Sequence, residues 1–319
     1  MTLSRMTQRQ FTQKISSHIH KNMRKQEDLY RQVSSNRRIQ RPSDDPSAMR
    51  RILSLRSQMQ ESEDFTHAAQ EGENWVNSAR QTMDQTLSVW KRINEIAIAA
   101  VDGSKSQSDR QVLRREVDQL LGHLVDLSNS SRQGHTLFSG RGTDRSPFHA
   151  QRQEEDGAIL SVSYQGDHTE RKVQVGPDQY ESISVLGSNE KNRTQRGGFI
   201  DVERGINLFE TAIQLRDQLS EVEEQDFSQA KELLKEVERG NDHLILVQTD
   251  IDLTQGTLQR HAEQIEEGKL QLENSLNSLQ EPDIARLMVE LNDVQTTYEA
   301  ALKLGARMGN LQGGLLDYI

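Results

Sequence analysis

The chain is 319 residues long, enough for more than one compact unit, yet only 33% of its residues are hydrophobic and 4% aromatic while 28% are charged. That is poor material for one large globular interior, and it suits long helices that each bury a single stripe. Absent cysteine excludes disulfides, thiol catalysis and Cys-rich zinc sites, and no stretch approaches the roughly 20 apolar residues that span a bilayer or the apolar core of a cleavable signal peptide.

Membrane insertion is therefore not expected, and any export would need a route independent of such a signal. Residues 1–51 carry 12 Lys and Arg against 4 Asp and Glu, a net of +8 in a chain whose total is −10. These cations are interleaved with an apolar helical stripe and only two aromatics, Phe11 and Tyr30. A solvated helix face, or an acidic partner, explains that pattern better than nucleic acid, which is not expected as a partner.

In chain order, Met6, Phe11, Ile15, Ile19, Met23, Tyr30 and Val33 follow at steps close to three or four, which predicts one helix with an apolar face. Arg41-Pro42-Ser43-Asp44-Asp45-Pro46 stops that helix. It offers Ser43, Asp44 or Asp45 as the N-cap of the next, with Pro46 in its first turn. A second helix is predicted from about Pro46 to Val101, with Ile52, Leu55, Met59, Phe65, Ala69, Val76, Met83, Trp90, Ala97 and Val101 on its inward face. Asp102-Gly103 breaks it, and Val112, Leu113, Val117, Leu120, Leu121, Leu124 and Leu127 resume the pattern as a helical return.

Near Gly134 the character changes to glycine-rich sequence with alternating apolar residues. Candidate strands are Ile159, Leu160, Val162 and Tyr164; Val173 and Val175; and Ile183 and Val185. Helical periodicity returns at Ile206, Phe209 and Ile213, then runs from Phe227 to Leu279. Roughly 55 residues of helix would reach on the order of 80 Å. Pro282 opens a last helix whose apolar residues, Ile284, Leu287, Leu291, Val294, Tyr298, Ala301, Leu302, Met308, Leu311, Leu315 and Ile319, recur close to every 3.5 residues. Such a stripe demands a facing helix. Residues 281–319 carry 3 Lys and Arg against 6 Asp and Glu, complementing the basic N-terminal arm, so the two ends are expected to pair. Two thin helices bury little area, and neighbouring copies would supply the rest of their cover.

The expected fold is mainly α: a long antiparallel coiled-coil-like rod built from both ends of the chain, with a small inserted β domain. The expected segments are an N-terminal helix (1–42), the first half of the rod (43–138), the β insert (139–200), the second half of the rod (201–281) and a C-terminal helix (282–319).

Three stretches resemble the flagellin-like family, in the form found in bacterial hook-filament junction proteins (flagellar hook-associated protein 3). Ser34-Ser35-Asn36-Arg37-Arg38-Ile39-Gln40-Arg41-Pro42-Ser43-Asp44-Asp45-Pro46 resembles the segment after the family's first helix, with Asn36 where a glycine is common. Gly134-His135-Thr136-Leu137-Phe138-Ser139-Gly140 resembles the entry to its outer domain, and Tyr298 to Gly305 with Leu315-Leu316-Asp317-Tyr318-Ile319 resembles its C-terminal helix. The resemblance implies a secreted structural subunit that leaves the cell unfolded by flagellar type III export. It would assemble as a ring of identical copies between the first hook-associated protein and the flagellin filament, after a cytosolic export chaperone has shielded its C-terminal helix. Its assembly interface would comprise Met6, Phe11, Ile15, Ile19 and Met23 from one end, and Leu291, Val294, Tyr298, Ala301, Leu302, Met308, Leu311 and Leu315 from the other.

No chemistry competes strongly with that reading. His18 and His20 point to different helix faces, Asp44 and Asp45 have capping tasks, and Gly140-Arg141-Gly142 lacks the rest of a nucleotide-binding fingerprint. Trp75 and Trp90 suit core packing. No cofactor, metal or catalytic residue is expected. The alternatives are a flagellin filament subunit, against which stand Pro42, Pro46 and the Asp317-Tyr318-Ile319 ending, or a cytoplasmic coiled-coil scaffold, which would not need matched stripes at both termini.

Overall fold

The computed structural model describes residues 8–101, 106–155, 157–190, 195–219 and 227–316. Met6 and the expected Asp102-Gly103 break lie outside the described residues, as do the side chains of Phe11, Met308, Leu311 and Leu315. The fold is mainly α, with long helices towards both ends and a small β region between them. In order these are α1 (Gln8–Ser35), α2 (Pro46–Val101), α3 (Gln107–Ser128), β1 (Ser131–Arg132), β2 (His135–Thr136), β3 (Phe148–Arg152), β4 (Ile159–Tyr164), β5 (Lys172–Gly176), β6 (Gln179–Ser182), β7 (Ile200–Asp201), β8 (Ile206–Asn207), α4 (Leu208–Gln218), α5 (Phe227–Gln280) and α6 (Ile284–Leu316). The chain divides into a terminal unit, Met1–Glu61 with Gly268–Ile319, and a central unit, Ser62–Glu267. The divisions fall inside α2 and α5.

The central unit holds the larger core. Ala69, Val76, Met83, Trp90 and Ala97 of α2 are all buried, as the 3.6-residue spacing predicts. The α3 stripe follows with Val117, Leu121 and Leu124, whereas Val112 is exposed. A Ser-x-x-Asp capping box starts α3: Ser106 Oγ accepts the Asp109 N–H and the Asp109 carboxylate accepts the Ser106 N–H. Trp90 is fully buried and its indole Nε1 donates to the Val237 carbonyl at 2.9 Å, tying α2 to α5.

Four two-stranded antiparallel sheets, each joining neighbours in sequence, make the β region. The candidate strands at 159–164 and around Val173 and Val175 are β4 and β5. Ile183 and Val185 form no strand, because the chain reverses at Pro177-Asp178 and β6 returns beside β5 over Gln179–Ser182. Ile183 still donates its N–H to the Arg171 carbonyl and is buried in the core shared with the helices. β3 escapes notice in the sequence because only Phe148 of its residues is fully buried. Phe138, Phe148, Phe199 and Phe209 pack edge-on, tilted or stacked, with ring centroids 5.1–5.8 Å apart. Leu137, Phe138 and Ser139 are buried, and Gly140 follows at φ 67° with its backbone against the Asp167 carbonyl. A Cβ there would lie 2.1 Å from that oxygen, so only glycine fits.

His243 of α5 is buried beside the β region. Its Nε2 lies 2.7 Å from the Gly197 carbonyl, which can only accept, so Nε2 carries the proton. Nδ1 is buried with no partner among the described residues, and burial pulls the imidazole pKa below its ordinary value. With the folded value below the unfolded one, stability is greatest above about pH 6.5 and declines as pH falls through the folded value. Thermal melts between about pH 7.5 and pH 5.5 should show the midpoint falling in the wild-type protein, with a shallower fall in His243→Gln, which keeps a donor for Gly197.

Gly240 lies against Trp90, where an added Cβ would meet the indole at 2.6 Å. In an open helix Gly→Ala would stabilise by about 1 kcal/mol. Here the pinned ring should reverse the sign, and chemical denaturation of Gly240→Ala should show a loss of about 1–3 kcal/mol.

Candidate assembly site

The terminal unit is built where the two ends of the chain meet. Helix α1 stops after Ser35 in a Schellman arrangement: Asn36 takes φ 51°, its N–H bonds the Val33 carbonyl, and the Arg37 N–H bonds the Gln32 carbonyl. Asparagine tolerates this left-handed position better than other side-chain-bearing residues, which explains how the chain manages without glycine there. The Gln40 side-chain amide then bonds back to the Arg31 carbonyl and to Ser35 Oγ.

The next turn divides its two acids by task. Asp44 Oδ2 accepts the N–H groups of Gln40 and Arg41 at 3.0 and 2.9 Å. Asp45 Oδ1 accepts those of Ser47 and Ala48 at 3.1 and 3.0 Å, and the Ser47 hydroxyl besides. Asp45 is thus the N-cap of α2 among the three candidates, and Pro46 occupies the first helical position, where a missing N–H costs nothing. Ser43 makes no hydrogen bond among the described residues, and Pro42 is exposed. The amide bonds, led by those of Arg41 for Asp44 and Ala48 for Asp45, hold both carboxyls below the usual carboxylate range.

This turn is anchored to the far end of the chain. Ile39 is buried with Ala48 and Ile52 against Leu276 and Leu279 of α5. The Arg38 N–H bonds the Gln280 carbonyl at 2.7 Å and its Nη2 the Leu279 carbonyl at 3.2 Å, supplying donors to the last turn of α5. Pro282 prevents α5 from continuing, and Asp283 caps α6 through the Arg286 N–H at 3.0 Å.

Helices α1 and α6 pack directly on each other. Leu29, Leu287, Leu291 and Val294 are buried together, with Val33 at the edge. Lys25 meets Glu290 at 3.8 Å, and Tyr30 Oη accepts from Gln295 Nε2 at 2.7 Å. Of the expected interface residues, Leu291 and Val294 are buried in this seam, while Ile15, Ile19, Tyr298 and Ala301 are half-buried. Met23 and Leu302 are 55% and 44% exposed, so they are not part of the intramolecular seam. The α1 seam instead follows Ile15, Ile19, Asn22, Gln26, Leu29 and Val33, all at least half-buried. Polar Asn22 and Gln26 at seam positions hide this heptad, and Leu29 goes unnoticed beside the more apolar spacing of Met23 and Tyr30. The heptad step from Ile15 would have found it.

Loss of the cap should loosen the unit from the turn outward. Asp45→Ala should lower the thermal midpoint, and Asp45→Asn, which retains an accepting oxygen, should lower it less. Because Asp44 and Asp45 titrate below their unfolded values, the stability they contribute is present above about pH 4 and is lost as pH falls through their folded values. Melts in that range should therefore bring wild type and Asp45→Asn together.

Residues 7–143 match the family described as bacterial flagellin N-terminal helical region. Flagellar hook-associated protein 3 of Escherichia coli is 25% identical over 156 residues, 48% of this chain and 49% of that one. Flagellin FlaB1 of Treponema pallidum is 31% identical over 110 residues, 34% of this chain and 38% of that one. The chain therefore spans about half the length of these curated relatives or less. Flagellar hook associated protein-3 from Legionella pneumophila shares the fold at a TM-score of 0.60 and 15% identity, across 72% of this chain and 98% of that one. Residues 7–143 thus resemble the bacterial flagellin N-terminal helical region, and the chain shares the fold of flagellar hook associated protein-3.

Proposed function

We propose that the chain is a structural subunit of the bacterial flagellum that joins the hook to the flagellin filament. The observation that carries this reading is the pairing of the two chain ends, α1 on α6, in a fold like that of hook-associated protein 3. Subunits of a tube need surfaces that are completed by neighbours, and these paired helices keep Met23, Met288, Val289 and Leu302 exposed beside their own seam. Identical copies form a ring through those surfaces, with the first hook-associated protein on one side and flagellin on the other. Export without a cleaved signal fits the unfolded passage of such a subunit, and a cytosolic chaperone covers the C-terminal helix beforehand. The role is structural and uses no cofactor. No group of three His, Cys, Asp or Glu placed to hold a metal occurs among the described residues, and no helix there is long and apolar enough to cross a membrane.

A strain whose copy lacks residues 282–319 should build hooks, release flagellin into the medium and fail to swim. Normal swimming would overturn the assignment. A labelled full-length chain should appear as one band at the distal end of the hook; label along the whole filament would identify it as a flagellin subunit instead.

A further inference from the structure

We propose that Asn22 and Gln26 divide the α1–α6 seam into an inner part that stays closed and an outer part that opens by itself. The proposal concerns the free chain in solution and stands whether or not the flagellar reading does.

The two helices run antiparallel, since α1 ends and α6 begins beside the turn where the Arg38 N–H bonds the Gln280 carbonyl. Each carries a narrow stripe at alternating steps of three and four. From residue 13 to residue 30, only Ile15, Ile19, Asn22, Gln26 and Leu29 of α1 are not exposed. The facing stripe on α6 is Leu287, Leu291, Val294, Tyr298 and Ala301. This is the pattern of a two-helix seam, in which every such position meets the partner helix.

Leu29 packs with Leu287 and Leu291. Equal steps back along α1 and forward along α6 bring Gln26 to the level of Val294, Asn22 to that of Tyr298 and Ile19 to that of Ala301. The inner part, next to the turn, is closed. Leu29, Leu287, Leu291 and Val294 are between 5% and 9% exposed, and the Lys25–Glu290 and Tyr30–Gln295 contacts link the helices there. Gln26 and Asn22 come next. Their side-chain amides are half-buried and make no hydrogen bond among the described residues. Closing the seam over them removes water without giving a protein partner in exchange, so a polar residue here weakens what an apolar one would strengthen. Beyond them Ile19, Tyr298 and Ala301 are only half-buried, and so thin a helix pair is marginal without a tight core. The outer part can therefore separate while the inner part, pinned by the turn, holds.

Amide hydrogen exchange of the purified full-length chain, read by mass spectrometry, tests this directly. Residues 13–26 and 296–304 should be protected at least tenfold less than residues 27–35 and 287–295. Leucine at both positions, Asn22→Leu with Gln26→Leu, should raise protection of the outer segments about tenfold and leave the inner ones unchanged. Alanine at both positions favours helix at least as much but fills little of the seam, so it should raise protection much less. Equal protection of inner and outer segments in the wild-type chain overturns the proposal. So does outer exchange that leucine leaves unchanged, or that alanine slows as much as leucine does. Protection that rises only with protein concentration would come from self-association and would overturn it as well.

Discussion

The last carbonyls of α5 need donors, and the chain that supplies them comes from the other end of the protein. Arg38 bonds the Leu279 carbonyl across 241 residues of sequence, its backbone N–H takes that of Gln280, and Ile39 fills the space between Leu276 and Leu279. A helix terminus without such partners would leave buried polar groups unsatisfied. The same contact fixes where α1 ends and α2 begins, since Asn36 and Asp45 close the turn on either side of Ile39. The α1–α6 seam follows from it, because Asp283 starts α6 immediately beyond the anchored end of α5.

The central unit is held by a different means. Trp90 reaches across to Val237, and the absence of a side chain at Gly240 admits its ring. The β region adds hairpins whose aromatic residues enter the same core as the helices; it has no separate interior. Short local strand pairs of this kind are marginal alone, and burial of Phe148 and Phe199 against Phe209 of α4 compensates.

Much of this was legible before any coordinates. Proline positions gave the start of α2 and the end of α5, and helical spacing gave the α2 and α3 core faces, because apolar periodicity survives wherever packing is continuous. The pairing of the two ends followed from unpartnered stripes of opposite charge. Leu29 was missed because Asn22 and Gln26 dilute its heptad, and Met23 was favoured because hydrophobicity alone does not distinguish a seam residue from its neighbour. β3 was missed because a two-strand hairpin needs little alternation, and Ile183 was misplaced because burial does not imply strand pairing. The choice among Ser43, Asp44 and Asp45 as cap could not be made from composition; it depends on where the turn aims each oxygen.

The contact between Arg38 and the end of α5 also sets an order of events in time. A ribosome makes the chain from its N-terminus, and α1 meets neither Leu287 nor Leu291 until more than 250 further residues have been added after Leu29. Local hairpins and the α3–α4 region can form early, whereas closing so long a loop is slow. The terminal unit therefore matures last, and for most of its synthesis the nascent protein presents an arm with nothing to fold against.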